Sequence, residues 1–140
     1  MAGIDLQNAK FITMLRPIDA TGATLTDVEV DTLGYDYLTV IVSTGNVAAN
    51  MTALKLQESD TTGASEADFT GGAFTAPTAA AGDNNTLAAF IDLRKRKRFI
   101  STVATGGAGA TLISAVGILT RAEVTPTSAT DRGLNEQLIV

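Results

Sequence analysis

The chain contains neither cysteine nor histidine. Without cysteine it can form no disulfide bond, no thiolate zinc site and no cysteine nucleophile. Without histidine it lacks the imidazole group on which most catalytic triads and many metal sites depend. These two absences exclude most familiar enzyme classes and leave only chemistry that carboxylates, lysine or serine can perform.

Tryptophan is also absent, aromatic residues make up 5% of the chain, and no apolar run approaches the roughly 18 residues that a membrane span needs. The first residues show no basic stretch followed by an apolar one, so we expect no signal peptide. With 140 residues, 45% of them hydrophobic and 18% charged, the composition predicts one globular domain. We expect it to be made in a cytoplasm, and used there or assembled there into something larger.

Charge is unevenly distributed along this acidic chain, whose formal net charge is −5. Residues 1–70 hold 3 basic and 10 acidic residues, whereas residues 71–140 hold 7 basic and 5 acidic ones. Five of the ten basic residues form one run, residues 94–98. A globally acidic protein is a poor non-specific binder of nucleic acid, because phosphate repulsion opposes a local basic patch. The polarity instead suits contacts between copies of the chain.

Short segments of alternating or β-branched residues follow one another with turn residues between them. We expect strands over residues 24–31, 35–43, 53–59, 86–93, 99–105 and 111–119. The second and the last of these are predicted to be central core strands. The pattern is typical of an all-β fold, either an antiparallel β-sandwich or a jelly-roll-like barrel, with six to eight short strands.

The sandwich is expected to span residues 24–121. Residues 1–23 are interpreted as an extended N-terminal arm, which either holds a short strand or becomes ordered only against a partner. Residues 122–140 are interpreted as an extended C-terminal tail. Residues 60–85, which are mostly small and polar, are expected to form a long loop anchored by Phe69 and Phe74.

Three carboxylates alternate along the first predicted strand: Asp27, Glu29 and Asp31. On one face of a strand they would lie about 6.6–7 Å apart, each from the next. That spacing suits a divalent cation or an acid/base pair, but it equally suits a solvated face or contact with a basic neighbour. Calcium sites need more oxygen ligands than one strand supplies. We therefore expect no metal site here.

Two further motifs are candidates for a catalytic or a phosphate-binding site. The sequence Glu58-Ser59-Asp60 places a hydroxyl beside acids, yet the chain has no imidazole to activate it. The glycines at 106, 107 and 109 precede no helix and no Lys-Ser/Thr pair, so they do not form a phosphate loop. We expect no catalytic residue, no cofactor and no small-molecule substrate.

The basic run, Arg94, Lys95, Arg96, Lys97 and Arg98, is the sharpest charge feature. It has three interpretations: a solvated hairpin tip that guards a sheet edge, a contact with an acidic protein surface, or a nucleic-acid patch. The aromatic residues that single-strand binders interleave with their cations are missing here, which disfavours nucleic acid. We expect the run to face Asp27, Glu29 and Asp31 of a neighbouring copy, or another acidic protein. The segment from Lys10 to Arg16 is a second candidate contact.

Taken in order, four segments resemble the small β-sandwich head decoration (cement) proteins of tailed bacteriophages. They are the strand at 35–43, the sequence ALKLQESD at 53–60, the sequence DLRKRKRFI at 92–100, and the apolar strand at 111–119. The resemblance spans roughly residues 28–121, and "LQESD" and "KRFI" are its most specific parts.

The resemblance implies a non-enzymatic virion protein that binds the outside of an expanded capsid and bridges major capsid protein subunits, often as a homotrimer. Its place would be the capsid surface, after assembly in the host cytoplasm, with no nucleic-acid or membrane partner. Weak contacts with several subunits would then gain strength from multivalency. Two alternatives remain: a head-fibre or tail adhesion module of the virion, and a small hydrolase that uses carboxylates.

Overall fold

The computed structural model describes residues 5–139, which contain nine β-strands, two short 3-10 helices and no α-helix. The strands are β1 (Lys10–Asp19), β2 (Thr24–Leu25), β3 (Val30–Asp31), β4 (Tyr35–Val47), β5 (Ala53–Ser59), β6 (Ala67–Ala73), β7 (Thr86–Asp92), β8 (Phe99–Thr105) and β9 (Thr111–Ala122). The 3-10 helices are Asp5–Asn8 and Leu93–Lys95. The paired strands are antiparallel and form two sheets that pack face to face, so the predicted β-sandwich is confirmed.

The first sheet has the strand order β1-β9-β4-β7. Its two central strands, β4 and β9, pair from Tyr35 opposite Ala122 to Val47 opposite Thr111. Leu38, on β4, points into the core with no exposed surface, because alternate residues of a strand face opposite sides. The prediction that residues 35–43 and 111–119 form central strands is confirmed, and both strands are longer than predicted.

The second sheet has the order β2-β8-β5-β6, and β3 also pairs with β8. Strands β5 and β8 begin and end where the sequence predicts. Leu54 and Leu56, on β5, are 1% exposed and meet the inner face of the first sheet. Side chains of the two sheets touch where the Thr102 hydroxyl approaches the Met14 sulfur, 3.8 Å away. The core therefore lies between the two sheets.

The N-terminal segment departs from its interpretation as an arm. Residues 10–19 form β1, an edge strand of the first sheet that pairs with β9, and Met14 and Leu15 are buried. Burial of these two apolar side chains fixes the segment in the sandwich, so of the two alternatives the strand is confirmed for residues 10–19, and the arm that becomes ordered only against a partner is wrong for them. Residues 1–4 of the expected arm lie outside the described residues.

The C-terminal tail, of which the structure describes residues 122–139, folds back on the N-terminal segment. The buried guanidinium of Arg132 donates to the carbonyl oxygens of Gln7, Pro126 and Thr127. The backbone N–H of Phe11 donates to the Arg132 carbonyl over 2.8 Å. This buried arginine thus fastens the tail to the start of β1.

The predicted loop at residues 60–85 contains a strand that the sequence analysis missed. Strand β6 pairs with β5, with Gln57 opposite Asp68. Phe69 and Phe74 pack against the core, which confirms their role as anchors. Loop structure is therefore confined to the flanks of β6.

Candidate interaction surface

The side of the first sheet that faces away from the core has two uncharged cross-strand rows at its centre. One row runs Phe11-Ile118-Thr39-Phe90, and the next runs Thr13-Val116-Ile41-Ala88. We call these eight residues the outer face. Phe90 is 83% exposed and Val116 is 38% exposed. Contiguous exposed apolar surface of this kind marks interaction sites in soluble proteins.

The outer face exists because β7 and β9 carry apolar residues on both of their sides. In β9, Ile113, Ala115 and Leu119 point into the core, while Val116 and Ile118 alternate with them and point outward. This two-sided pattern is typical of an inner strand. The strand does lie inside its sheet, but no described residue covers its outward side.

The basic run is a connection between the two sheets and not a hairpin. It leads from β7, at the edge of the first sheet, to β8, in the middle of the second. The 3-10 helix Leu93–Lys95 begins the connection, and the Asp92 carboxylate caps it by accepting from the N–H of Arg94 over 3.1 Å. Leu93 is buried. The hairpin interpretation is therefore wrong. The buried Leu93 side chain anchors the connection between the two sheets in the core, and the cations that follow it lie toward the surface.

The three arginines of the run have carboxylate partners within the chain. Arg94 pairs with Asp92, Arg96 lies 3.5 Å from Glu58, and Arg98 binds Asp31 through two hydrogen bonds of 2.7 and 2.8 Å.

Each of these arginines also lies over an aromatic ring. The distances from guanidinium carbon to ring centroid are 5.6 Å for Arg94 and Tyr37, 4.9 Å for Arg96 and Phe69, and 4.9 Å for Arg98 and Phe99. Cation–π contacts of this length add to the ion pairs and hold the guanidinium groups against the protein surface.

The three alternating carboxylates lie apart in the structure. Asp27 accepts two hydrogen bonds from the Arg16 side chain, Glu29 accepts from Thr62 and Gly63, and Asp31 binds Arg98. The continuous strand predicted over residues 24–31 is therefore wrong. Its middle leaves the second sheet, and the N–H of Val28 donates to the carbonyl of Met14 on β1.

The ion pairs hold their carboxylates in the charged form. The side-chain hydrogen bonds from Arg94 lower the pKa of Asp92 to about 2. Side-chain hydrogen bonds from Arg98 and Arg16 likewise lower the pKa of Asp31 and of Asp27. At neutral pH these groups are ionised and already partnered, so they offer little to a second copy.

Of the cations proposed as contacts, Lys10, Lys95 and Lys97 form no ion pair with any residue from 5 to 139. Lys97 is tied only by its backbone N–H, which donates to Glu58. The positive charges that are available to a second copy or to an acidic partner are therefore mainly those of these lysines.

The remaining candidates have structural roles. The Ser59 hydroxyl is buried in a turn, where it accepts from the N–H of Thr61. Gly106 lies against the Ala20 carbonyl so closely that a Cβ atom would come within 2.0 Å of the oxygen. Residues 5–139 bring together no group of three metal-ligating side chains, and no helix among them is long and apolar enough to cross a membrane.

Comparisons of the chain with protein-family models, with curated proteins and with solved structures gave no significant match. The function is therefore argued from the surface itself.

Proposed function

We propose that this protein is a non-enzymatic structural component of a tailed-bacteriophage virion, which decorates the capsid surface as a homotrimer and bridges major capsid protein subunits. The observation that carries the proposal is the outer face, an uncharged surface at the centre of the first sheet. It lies across the two central strands and both edge strands, and its residues Phe90 and Val116 are exposed. A surface of this kind serves binding to another protein.

Charge at the border of this surface supports the same role. Lys95 lies in the 3-10 helix that follows β7, is exposed, and has no carboxylate partner among the described residues. An exposed cation beside an uncharged centre matches the usual layout of protein interfaces, in which charges lie at the rim and steer association. An acidic patch on the capsid would complete the contact.

Binding to undecorated, expanded heads of the phage that encodes the chain tests the proposal. Protein that sediments with the heads is measured at increasing concentration for the wild type and for Val116→Lys, which places a charge at the centre of the outer face. Ala64→Lys adds the same charge on an exposed loop of the second sheet and is the control.

We expect saturable binding for the wild type and the control, and loss of binding for Val116→Lys with an unchanged unfolding midpoint. Absence of wild-type binding would contradict the proposal. Binding to host cells in its place would favour the adhesion module.

A further inference from the structure

Strand β7 leaves one edge of the first sheet open. The N–H of Thr44 donates to the carbonyl of Asn85 over 2.9 Å, just before β7 begins. Hydrogen-bonded and non-hydrogen-bonded pairs alternate along antiparallel strands. It follows that Thr86, Ala88 and Phe90 point their backbone N–H and C=O groups away from β4. No described backbone group outside β4 bonds to these three residues.

The other sheet edges are protected in ways that β7 is not. Strand β1 contains Pro17 and two register shifts, and β6 contains a register shift and Gly71 at a positive φ of 79°. Strands β2 and β3 are two residues long. By contrast β7 pairs with β4 over seven residues without a shift, and it has no proline and no charge before Asp92. Natural sheets block long flat edges unless a partner strand covers them.

A groove of about 580 Å³ runs beside this edge, between β7 and β6. Its walls include Phe69, Phe74 and Phe90, and Asp92, Lys95 and Arg96 lie at the end where β7 stops. An occupant with apolar side chains would match it.

The chain itself carries such a segment at its C-terminus. In residues 136–139, here called the tail tip, Leu138 is 84% exposed and Ile139 is 64% exposed, and Glu136 precedes them on the surface. Arg132 holds the tail at β1, through its carbonyl bond to Phe11. Because β1 and β7 are opposite edges of the sheet, about 14 Å apart across three strand spacings, the tail tip faces away from the β7 of its own chain.

We infer that the tail tip of one copy adds antiparallel to β7 of the next copy, with Leu138 opposite Phe90. Antiparallel addition gives the backbone of Phe90 its missing partners and covers the exposed Phe90 ring. The tail is held at the β1 edge of its own sheet and binds β7, the opposite edge, of the next copy. The contact is therefore head-to-tail, the type that closes into rings such as trimers. The inference rests on the self-association in the proposed function and on no property of a capsid.

The mass of the full chain in solution, from light scattering, tests the inference. We expect a multiple of 14.4 kDa for the wild type and a single 14.4 kDa for the double variant Leu138→Ser/Ile139→Ser, which keeps Gln137 and its bond to Arg132. Phe90→Pro should have the same effect, because it removes an N–H that β4 does not use, whereas Phe90→Tyr should associate like the wild type. Since the contact is mainly apolar, high salt should leave the mass unchanged.

Cross-linking supplies the second measurement, and the absence of cysteine from the chain makes it specific. Directly opposed strand residues lie within the reach of a disulfide bond. Oxidised Ile139→Cys/Ala89→Cys, a directly opposed pair that keeps Leu138 and Phe90, should therefore form bonds between chains. Ile139→Cys with Thr24→Cys, on the edge of the second sheet, should not.

A monomeric wild type, or an unchanged mass in the tail-tip variant, would overturn the inference. Association lost in Phe90→Pro and kept in the tail-tip variant would indicate β7-to-β7 pairing and overturn it as well. A ring that forms by this contact but does not bind heads would contradict the capsid role and leave the tail exchange standing.

Discussion

Phe90 and Ile91 are neighbours on β7 with opposite surroundings, and their substitutions should therefore have opposite effects. Phe90 is 83% exposed on the outer face, whereas Ile91 is 8% exposed and belongs to the core. Fully burying a phenylalanine is worth about 1.5–3 kcal/mol. With most of its surface still free, Phe90 should contribute about 2 kcal/mol when a second copy covers it, or roughly thirtyfold in the dissociation constant.

Phe90→Thr places a β-branched residue in the strand and removes the ring. We expect its unfolding free energy to stay within about 0.5 kcal/mol of the wild type and its self-association to weaken roughly thirtyfold. Ile91→Val should do the reverse: it should lose about 1 kcal/mol of stability and associate normally. Urea denaturation and sedimentation equilibrium measure the two quantities. Phe90→Thr that associates like the wild type, or unfolds as readily as Ile91→Val, would refute this division of the strand.

Three further outcomes follow from the fold. Gly106→Ala should lose about 1–3 kcal/mol in urea denaturation, because its Cβ would collide with the Ala20 carbonyl; wild-type stability would contradict that contact. Arg132→Ala should lose about 1–3 kcal/mol and expose residues 122–139 to proteolysis, since buried carbonyls lose their donor; an intact tail would show that the guanidinium does not hold it. The urea midpoint should be constant from pH 8 to 5, since no histidine titrates there, and should fall below pH ~4. The reason is that hydrogen bonds from arginine lower the pKa of Asp27, Asp31 and Asp92 in the folded protein. The stability that these carboxylates add is complete above their pKa in the unfolded chain, and it is lost as the pH falls through their lower pKa in the folded protein. A midpoint that rises on acidification would contradict this direction.

The local sequence pattern was sufficient to predict a strand where the residues within it and the turn residues on either side of it indicate the same limits. Strands β5 and β8 match their predicted limits because alternation, β-branched residues and flanking turn residues give the same answer there. Strand β6 was missed because its sequence, ADFTGGA, has little β-propensity. It forms through pairing with β5, which no local pattern reports.

The site was harder to predict, because its contacts join distant parts of the chain. Arg98 and Asp31 are 67 positions apart, so their pairing within one chain depends on β3 meeting β8. The outer face was missed for another reason. Apolar residues on both sides of β9 indicate that both sides are covered, and the sequence does not say whether the cover belongs to the same chain.

Quantitative mass spectrometry of purified virions, which compares the amount of this chain with that of the major capsid protein, tests capsid decoration most directly. We expect a fixed ratio of the two proteins in every preparation, and release of the chain when Val116→Lys replaces the wild type. Virions that lack the chain would contradict capsid decoration. A few copies per particle, independent of the number of capsid subunits, would contradict it too and assign the protein to a fibre or tail.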